Sequence, residues 1–143
     1  MGKTTQKPII FDFSRTMTGR PFKLGYAQDG LDCFTLIVEY LKRHGITIPE
    51  TETIDGVTLR NYKDKYVSDN STINAAEKYF IRILKEKEPC ARMPGDVLLL
   101  AYNETKFFGI DAGNGNILTA NTDRGVKIVP GNPYEVLRAW AIR

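Results

Sequence analysis

The chain of 143 residues holds two cysteines and one histidine, so candidates for nucleophilic or proton-transfer chemistry are few. Cys33 is the foremost. It follows Gly30-Leu31-Asp32, a turn and a helix-capping residue, and it opens an apolar helical pattern. A thiol in a first turn meets unsatisfied backbone N–H groups and the positive end of the helix dipole, both of which favour the thiolate. That is how a cysteine nucleophile is presented; the competing reading is a small apolar residue on the core face. A nucleophile also needs a proton acceptor within hydrogen-bond reach. His44 lies eleven residues along the same helix, roughly 16 Å away at 1.5 Å per residue, and reads as a C-terminal helix residue. Asp32, Asp111 and Glu104 are acids that folding could bring near. A carboxylate is a poor base for a thiol and raises its pKa by repulsion. Cys90, in Pro89-Cys90-Ala91, reads as a free structural thiol, although spacing leaves a disulfide to Cys33 open.

The elements that must position Cys33 follow from periodicity. Cys33, Leu36, Ile37, Tyr40 and Leu41 line one face of a helix over 32–44, widened by Phe34 and Val38, capped by Asp32 and stopped by Gly45. Ile73, Ala76, Phe80, Ile81 and Leu84 predict a second helix, capped by Asn70 or Ser71 and ended by Pro89. Residues 1–31 read mostly as loop, with 1–13 as an N-terminal extension and one short helix from Ser14 to Met17. Residues 46–70 form a long irregular segment. After Pro94-Gly95 the period becomes two. Strands are expected over Val97–Tyr102, Phe107–Ala112, Asn116–Asn121 and Val126–Val129, with a closing strand or short helix over Val136–Ile142. Asn114-Gly115 is the strongest hairpin signal. Helices first, then an antiparallel β-meander, make a single α+β domain over 1–143.

Composition narrows the classes of function. A 16.2 kDa chain that is 42% hydrophobic can build a core without metal or disulfide staples. No apolar run approaches 18 residues, so no membrane insertion is expected. Pro8-Ile9-Ile10-Phe11 is cut short by Asp12, so no secretion signal is expected and synthesis in the cytoplasm is. No Cys-x-x-Cys spacing and a single histidine predict no metal site, and no cofactor motif is present. The net charge of +3 is spread out. Its dense stretches, Lys42-Arg43-His44 and Lys85-Glu86-Lys87, sit at helix ends without interleaved aromatics, so no nucleic acid is expected as a partner.

Taken in order, these motifs resemble the NlpC/P60 cysteine peptidases, papain-like α+β proteins that cut peptides of bacterial peptidoglycan. Gly19-Arg20-Pro21-Phe22 and Gly30-Leu31-Asp32-Cys33-Phe34 are similar to the opening segments of that family. Met93-Pro94-Gly95-Asp96-Val97-Leu98 resembles its strand opening, and Phe107 to Gly115 its central hairpin. Within the family the chain looks most like small proteins of bacteriophage tails, through Gly45-Ile46-Thr47-Ile48-Pro49 and the basic strand Leu137 to Arg143. The departures bear on chemistry. By this resemblance the family's catalytic histidine falls on Phe107, its third residue on Thr119, and the tyrosine that orients the cysteine on Phe22. Only Cys33 remains, as a vestigial nucleophile. Phenylalanine accepts no proton and threonine is no useful base.

The resemblance therefore implies the fold more than the reaction. The leading expectation is a non-catalytic structural or assembly component of a phage tail, at the tail tip, located in the virion, with other tail proteins as partners. The alternative is a peptidoglycan endopeptidase that uses Cys33 with an unconventional or partner-supplied base. Cys33 is expected in the first turn of a helix packed on the meander. Phe107 is expected to face it across a groove, filling that groove or offering an interface.

Overall fold

The protein is described by a computed structural model that covers residues 9–23, 30–49, 51, 53, 54, 56, 58, 71–122 and 124–142, with only the backbone at 71 and 72. Among the described residues, three α-helices precede the sheet. Helix α1 (Ile9–Met17) buries Ile10, Phe13, Ser14 and Met17, an i, i+3, i+4, i+7 stripe. It begins five residues before Ser14, and it buries Ile10 and Phe13 from the stretch expected as an N-terminal extension. Helix α2 (Cys33–Arg43) ends where Gly45 takes φ +84°, and His44 is its C-cap. Helix α3 (Ser71–Ile83) stops well before Pro89. The next residues form strand β1 (Lys85–Lys87), which pairs antiparallel with the last strand, Lys85 opposite Ala141. The basic stretch read as a helix end is thus a sheet edge. Most of 46–70 lies outside the described residues; within it Ile48 is buried and Ile54 packs against the core.

Strands β2 (Val97–Tyr102), β3 (Thr105–Gly113), β4 (Asn116–Asn121), β5 (Gly125–Pro130) and β6 (Glu135–Ala141) complete an antiparallel sheet of order β1-β6-β2-β3-β4-β5. The meander expected from the alternating pattern is present as β2 to β5, and the closing segment is a strand. The helices cover one face. There Phe80 meets Phe108 at 5.1 Å and Trp140 at 5.8 Å between ring centroids, and Val97, Leu99, Ile110 and Leu118 pack beside them. Leu98, Leu100, Ile117 and Ala139 make a smaller cluster on the other face. Both faces are covered, which is why Val97 to Leu100 is apolar without a break.

Two tight turns lock helices to sheet. In Pro94-Gly95-Asp96, Gly95 adopts φ +98° and its N–H donates to Asp111 O at 2.8 Å, while Asp111 N–H donates to Asp96 O at 2.9 Å. The Asp96 carboxylate accepts Met93 N–H at 2.7 Å and pairs with Lys87 at 2.9 Å, and the Tyr40 hydroxyl donates to Gly95 O at 2.7 Å. At the other end Gly19 N–H donates to Val126 O and Val126 N–H to Arg20 O, at 2.9 and 2.8 Å. This seats the 19–22 segment on the edge of β5. Gly125 makes the approach possible: a Cβ there would stand 2.2 Å from Arg20 O, at φ +76°.

Gly125→Ala is therefore expected to lower stability by at least about 2 kcal/mol, because it combines backbone strain with a backbone clash. Gly115→Ala, at φ +77° but with nothing within 4 Å of its Cβ, should lose only about 1 kcal/mol. Urea midpoints of the two variants measure the difference. A second expectation concerns pH. The His44 ring stands edge-on to Tyr40 at 4.8 Å, and its Nε2 is buried without a hydrogen-bond partner among the described residues. Burial holds its pKa below the ordinary 6.5. The fold thus favours neutral His44, and this contribution is complete above about pH 6.5 and declines on acidification below it. His44→Asn should flatten that limb of the stability–pH curve.

Candidate active-site cleft

The head of α2 is built by a reciprocal cap. Asp32 Oδ1 accepts Thr35 N–H at 2.8 Å and the Thr35 hydroxyl at 3.0 Å, and Asp32 N–H donates to Thr35 Oγ1 at 2.9 Å. Two strand-like contacts hold the approach to it. Leu31 N–H donates to Pro21 O and Lys23 N–H to Leu31 O, each at 3.1 Å, so Phe22 lies beside Leu31. Cys33 follows in the first helical turn, as the spacing predicts, with part of its surface on a cleft.

That cleft has a volume of about 380 Å³ and is lined, among others, by Phe22, Asp32, Cys33, Phe107, Thr119 and Tyr134. The fold therefore brings Cys33, Phe107 and Thr119 to one place, 74 and 86 residues apart in sequence (107 − 33 and 119 − 33). Phe107 is half-buried, and its ring packs edge-to-face on Tyr134 at 5.1 Å; Tyr134 in turn meets Tyr102 at 5.9 Å. Its neighbour Phe108 is fully buried among the helices, as strand alternation requires of one of the pair. Thr119 is buried, and its hydroxyl donates to Phe108 O at 2.8 Å.

The environment of the sulfur reverses the thiolate expectation. Desolvation in this packing, and then the adjacent Asp32 charge, push the Cys33 thiol up to about 12, against smaller opposing hydrogen bonds from the backbone of Phe108 and of Cys33 itself. The helix terminus is overcome by burial and by the carboxylate that caps the same helix. Relative to an ordinary thiol near 9, three pKa units leave roughly a thousandfold less thiolate at neutral pH. The other acids considered are engaged or elsewhere. Asp111 accepts Gly113 N–H at 2.8 Å and faces Arg92 at 3.5 Å, and neither Asp111 nor Glu104 lines the cleft. His44 sits at the opposite end of α2, and Cys90 is exposed in a 3₁₀ turn (Pro89–Ala91), both thiols being free. Among the described residues, no group of three His, Cys, Asp or Glu is placed to hold a metal.

Sequence reasoning passed over Tyr102 and Tyr134. Their signal was available: an aromatic residue closes β2, and another follows the Gly131-Asn132-Pro133 turn, where large rings are available to a groove at the sheet's end.

Residues 19–136 match the model of the NlpC/P60 family. Solved structures share the fold. NlpC1 from Trichomonas vaginalis is 20% identical, with a TM-score of 0.58 over 92% of this chain and 43% of its own. An NlpC/P60 family protein from Bacillus cereus is 19% identical, with a TM-score of 0.57 over 94% of this chain and 38% of its own. The NlpC/p60 domain of the peptidoglycan hydrolase SagA is 17% identical, with a TM-score of 0.57 over 93% of this chain and 96% of its own. The chain spans less than half the length of the first two. No curated protein sequence matches it.

The two thiols give a direct measure of the cleft's electrostatics. With iodoacetamide at pH 7.5, exposed Cys90 should be alkylated readily and Cys33 hardly at all. The Cys33 rate should climb about tenfold per pH unit through pH 10, as thiolate forms toward its midpoint near 12. Peptide mass spectrometry separates the two sites; a Cys33 rate that is already flat by pH 8 would contradict the neutral thiol.

Proposed function

The chain belongs to the NlpC/P60 family, and on that premise we propose that it is a peptidoglycan-directed module of cysteine-peptidase type, whose cleft receives peptide beside Cys33. The observation that supports the reading is the conjunction in one cleft of the α2 head, β3 and β4, lined by Cys33, Phe107 and Thr119, the positions that the sequence resemblance assigns to the family's site. The chemistry of these residues favours binding over turnover. Cys33 keeps its proton at neutral pH, Phe107 cannot take it, and the Thr119 hydroxyl is donated to Phe108 O. Without a base, attack on a peptide carbonyl should be slower by several orders of magnitude.

One observation favours a second reading, an endopeptidase that uses Cys33. The backbone hydrogen bonds from Phe108 and Cys33 converge on the sulfur and would stabilise a thiolate once a partner or a base removed the proton. A place at a bacteriophage tail tip, with other tail proteins as partners, rests on the sequence resemblance alone, and the relatives named above lend it no support.

Co-sedimentation with purified sacculi, followed by mass spectrometry of the supernatant, tests the proposal. The expected outcome is retention of the protein with no released peptide, unchanged in Cys33→Ala. Peptide release that disappears in Cys33→Ala would establish the endopeptidase. Failure to co-sediment would remove peptidoglycan as the ligand.

A further inference from the structure

Among the described residues, the charged side chains on the cleft lining are Asp32 and Lys106, and they stand on different elements. Asp32 caps the head of α2. It is only 3% exposed, and its Oδ1 accepts from the backbone and the hydroxyl of Thr35. Lys106 belongs to β3, where it precedes Phe107 and lies opposite Ala101 of β2. Strand alternation sends it to the helix-covered face, opposite to Phe107. Its ammonium there reaches α3, donating to Asn74 Oδ1 at 3.1 Å and standing 3.9 Å from Glu77. Ile73 of the same helix also lines the cleft. The cation thus sits where α3 meets β3, with its side chain 32% exposed, and the buried carboxylate sits at the α2 head.

The contacts of Lys106 hold it in place and still admit a ligand. The Asn74 amide is neutral, and an ammonium carries three donors. Glu77 is the acid beside it, but that carboxylate also accepts from Arg138 through its other oxygen, and 3.9 Å is an ion-pair separation rather than a hydrogen bond. Arg138 pairs in turn with Glu86 at 2.6 Å. An acid shared between two bases leaves Lys106 able to take a second, closer anion. A lysine already held against a helix loses less rotamer freedom on binding than one extended into solvent. A carboxylate brought to hydrogen-bond distance would gain a charge-assisted bond in a partly shielded place. The same carboxylate beside Cys33 would meet the Asp32 charge and be repelled. The two charges therefore give the cleft a direction, with the anionic group of a ligand toward α3 and its uncharged amides toward the α2 head.

We propose that Lys106 is a specificity-determining residue of the cleft and receives a carboxylate of a peptide on the α3 side. The inference rests on the reading of the cleft as peptide-receiving. Peptides of peptidoglycan carry free carboxylates, and charge complementarity singles out that group. It goes beyond that reading by naming which group of the peptide is recognised, and by which side chain, at a position that no proton transfer involves.

The test is a titration of the isotopically labelled full chain, followed by protein NMR, with three probes that differ in one side chain: N-acetyl-alanyl-glutamate amide and its glutamine and lysine counterparts. The glutamate probe is expected to shift the backbone signals of Asn74, Lys106 and Phe107 and to bind about fivefold more tightly than the glutamine probe, with the lysine probe weakest. The preference should shrink as sodium chloride rises from about 0.05 to 0.5 M. Lys106→Met should abolish it and Lys106→Arg should keep most of it. Lys85→Met, which removes the same charge from an exposed position on β1, should leave it unchanged. Equal affinity for the three probes, a preference for the glutamate probe that survives in Lys106→Met, or no binding at all would each overturn the proposal. The panel on the unaltered chain decides the matter even if Lys106→Met, which loses the Asn74 contact, misfolds. Binding to sacculi without preference among the probes would refute this inference and leave the peptidoglycan reading intact. Preference for the glutamate probe without binding to sacculi would keep the Lys106 site and remove peptidoglycan as the source of its ligand.

Discussion

The reciprocal hydrogen bonds between Asp32 and Thr35 fix where α2 begins, and the rest of the cleft is arranged around that point. The cap sets the helix start to the residue, so the side chain after it, Cys33, is pinned in the first turn. The pairing of 21–23 with 30–31 brings the incoming chain alongside, and the close approach of Arg20 to Gly125 ties that chain to β5. On the other side, the Tyr40 hydroxyl reaches the Pro94-Gly95-Asp96 turn that opens β2. One helix is thereby held at both ends against one sheet, and the cleft is the space left where its head meets β3 and β4.

The same cap that places the cysteine also keeps it protonated. A carboxylate one residue before a thiol is the most economical way to start the helix, and it is a fixed negative neighbour for any thiolate formed there. An active arrangement could tolerate this if a cationic partner stood opposite to offset the repulsion. Here the cleft lining includes the aromatic ring of Phe107. Burial and repulsion then act in the same direction, and the opposing backbone hydrogen bonds are the smaller effect. The cleft's geometry and its acid–base chemistry are thus joined at one carboxylate, which fixes the helix start through Thr35 and adds to the desolvation that keeps the thiol protonated.

Much of the frame was legible in the residues. Asp32, the stripe from Cys33 to Leu41, and Gly45 define α2 within a residue, because cap, period and stop agree. Asn114-Gly115 sits at φ +57° and +77°, as a tight hairpin demands. Strand β1 was not legible: Lys85-Glu86-Lys87 has no apolar alternation, and only its pairing with β6 makes it a strand. Helix α1 carried only three apolar residues on its buried stripe, Ile10, Phe13 and Met17, which is short enough to be taken for loop beside so many glycines. The direction of the thiol's shift was misjudged because the helix dipole is visible in sequence, whereas desolvation depends on what packs over the sulfur. Tyr102 and Tyr134 were missed for a related reason: their meeting at 5.9 Å is a product of topology, since β6 returns beside β2.

The charge cluster on α3 ties the cleft lining to neighbours outside it. Glu77 accepts from Arg138 and faces Lys106 at 3.9 Å, while Arg138 also pairs with Glu86 at 2.6 Å. Two acids and two bases from α3, β1, β3 and β6 balance one another. The lining of the space beside Cys33 is joined through Lys106 to an ion network that spans α3, β1, β3 and β6. Phe107 adds an aromatic face to that lining. Among the described residues the charged lining is Asp32 and Lys106, and each is engaged, Asp32 by Thr35 and Lys106 by Asn74 and Glu77.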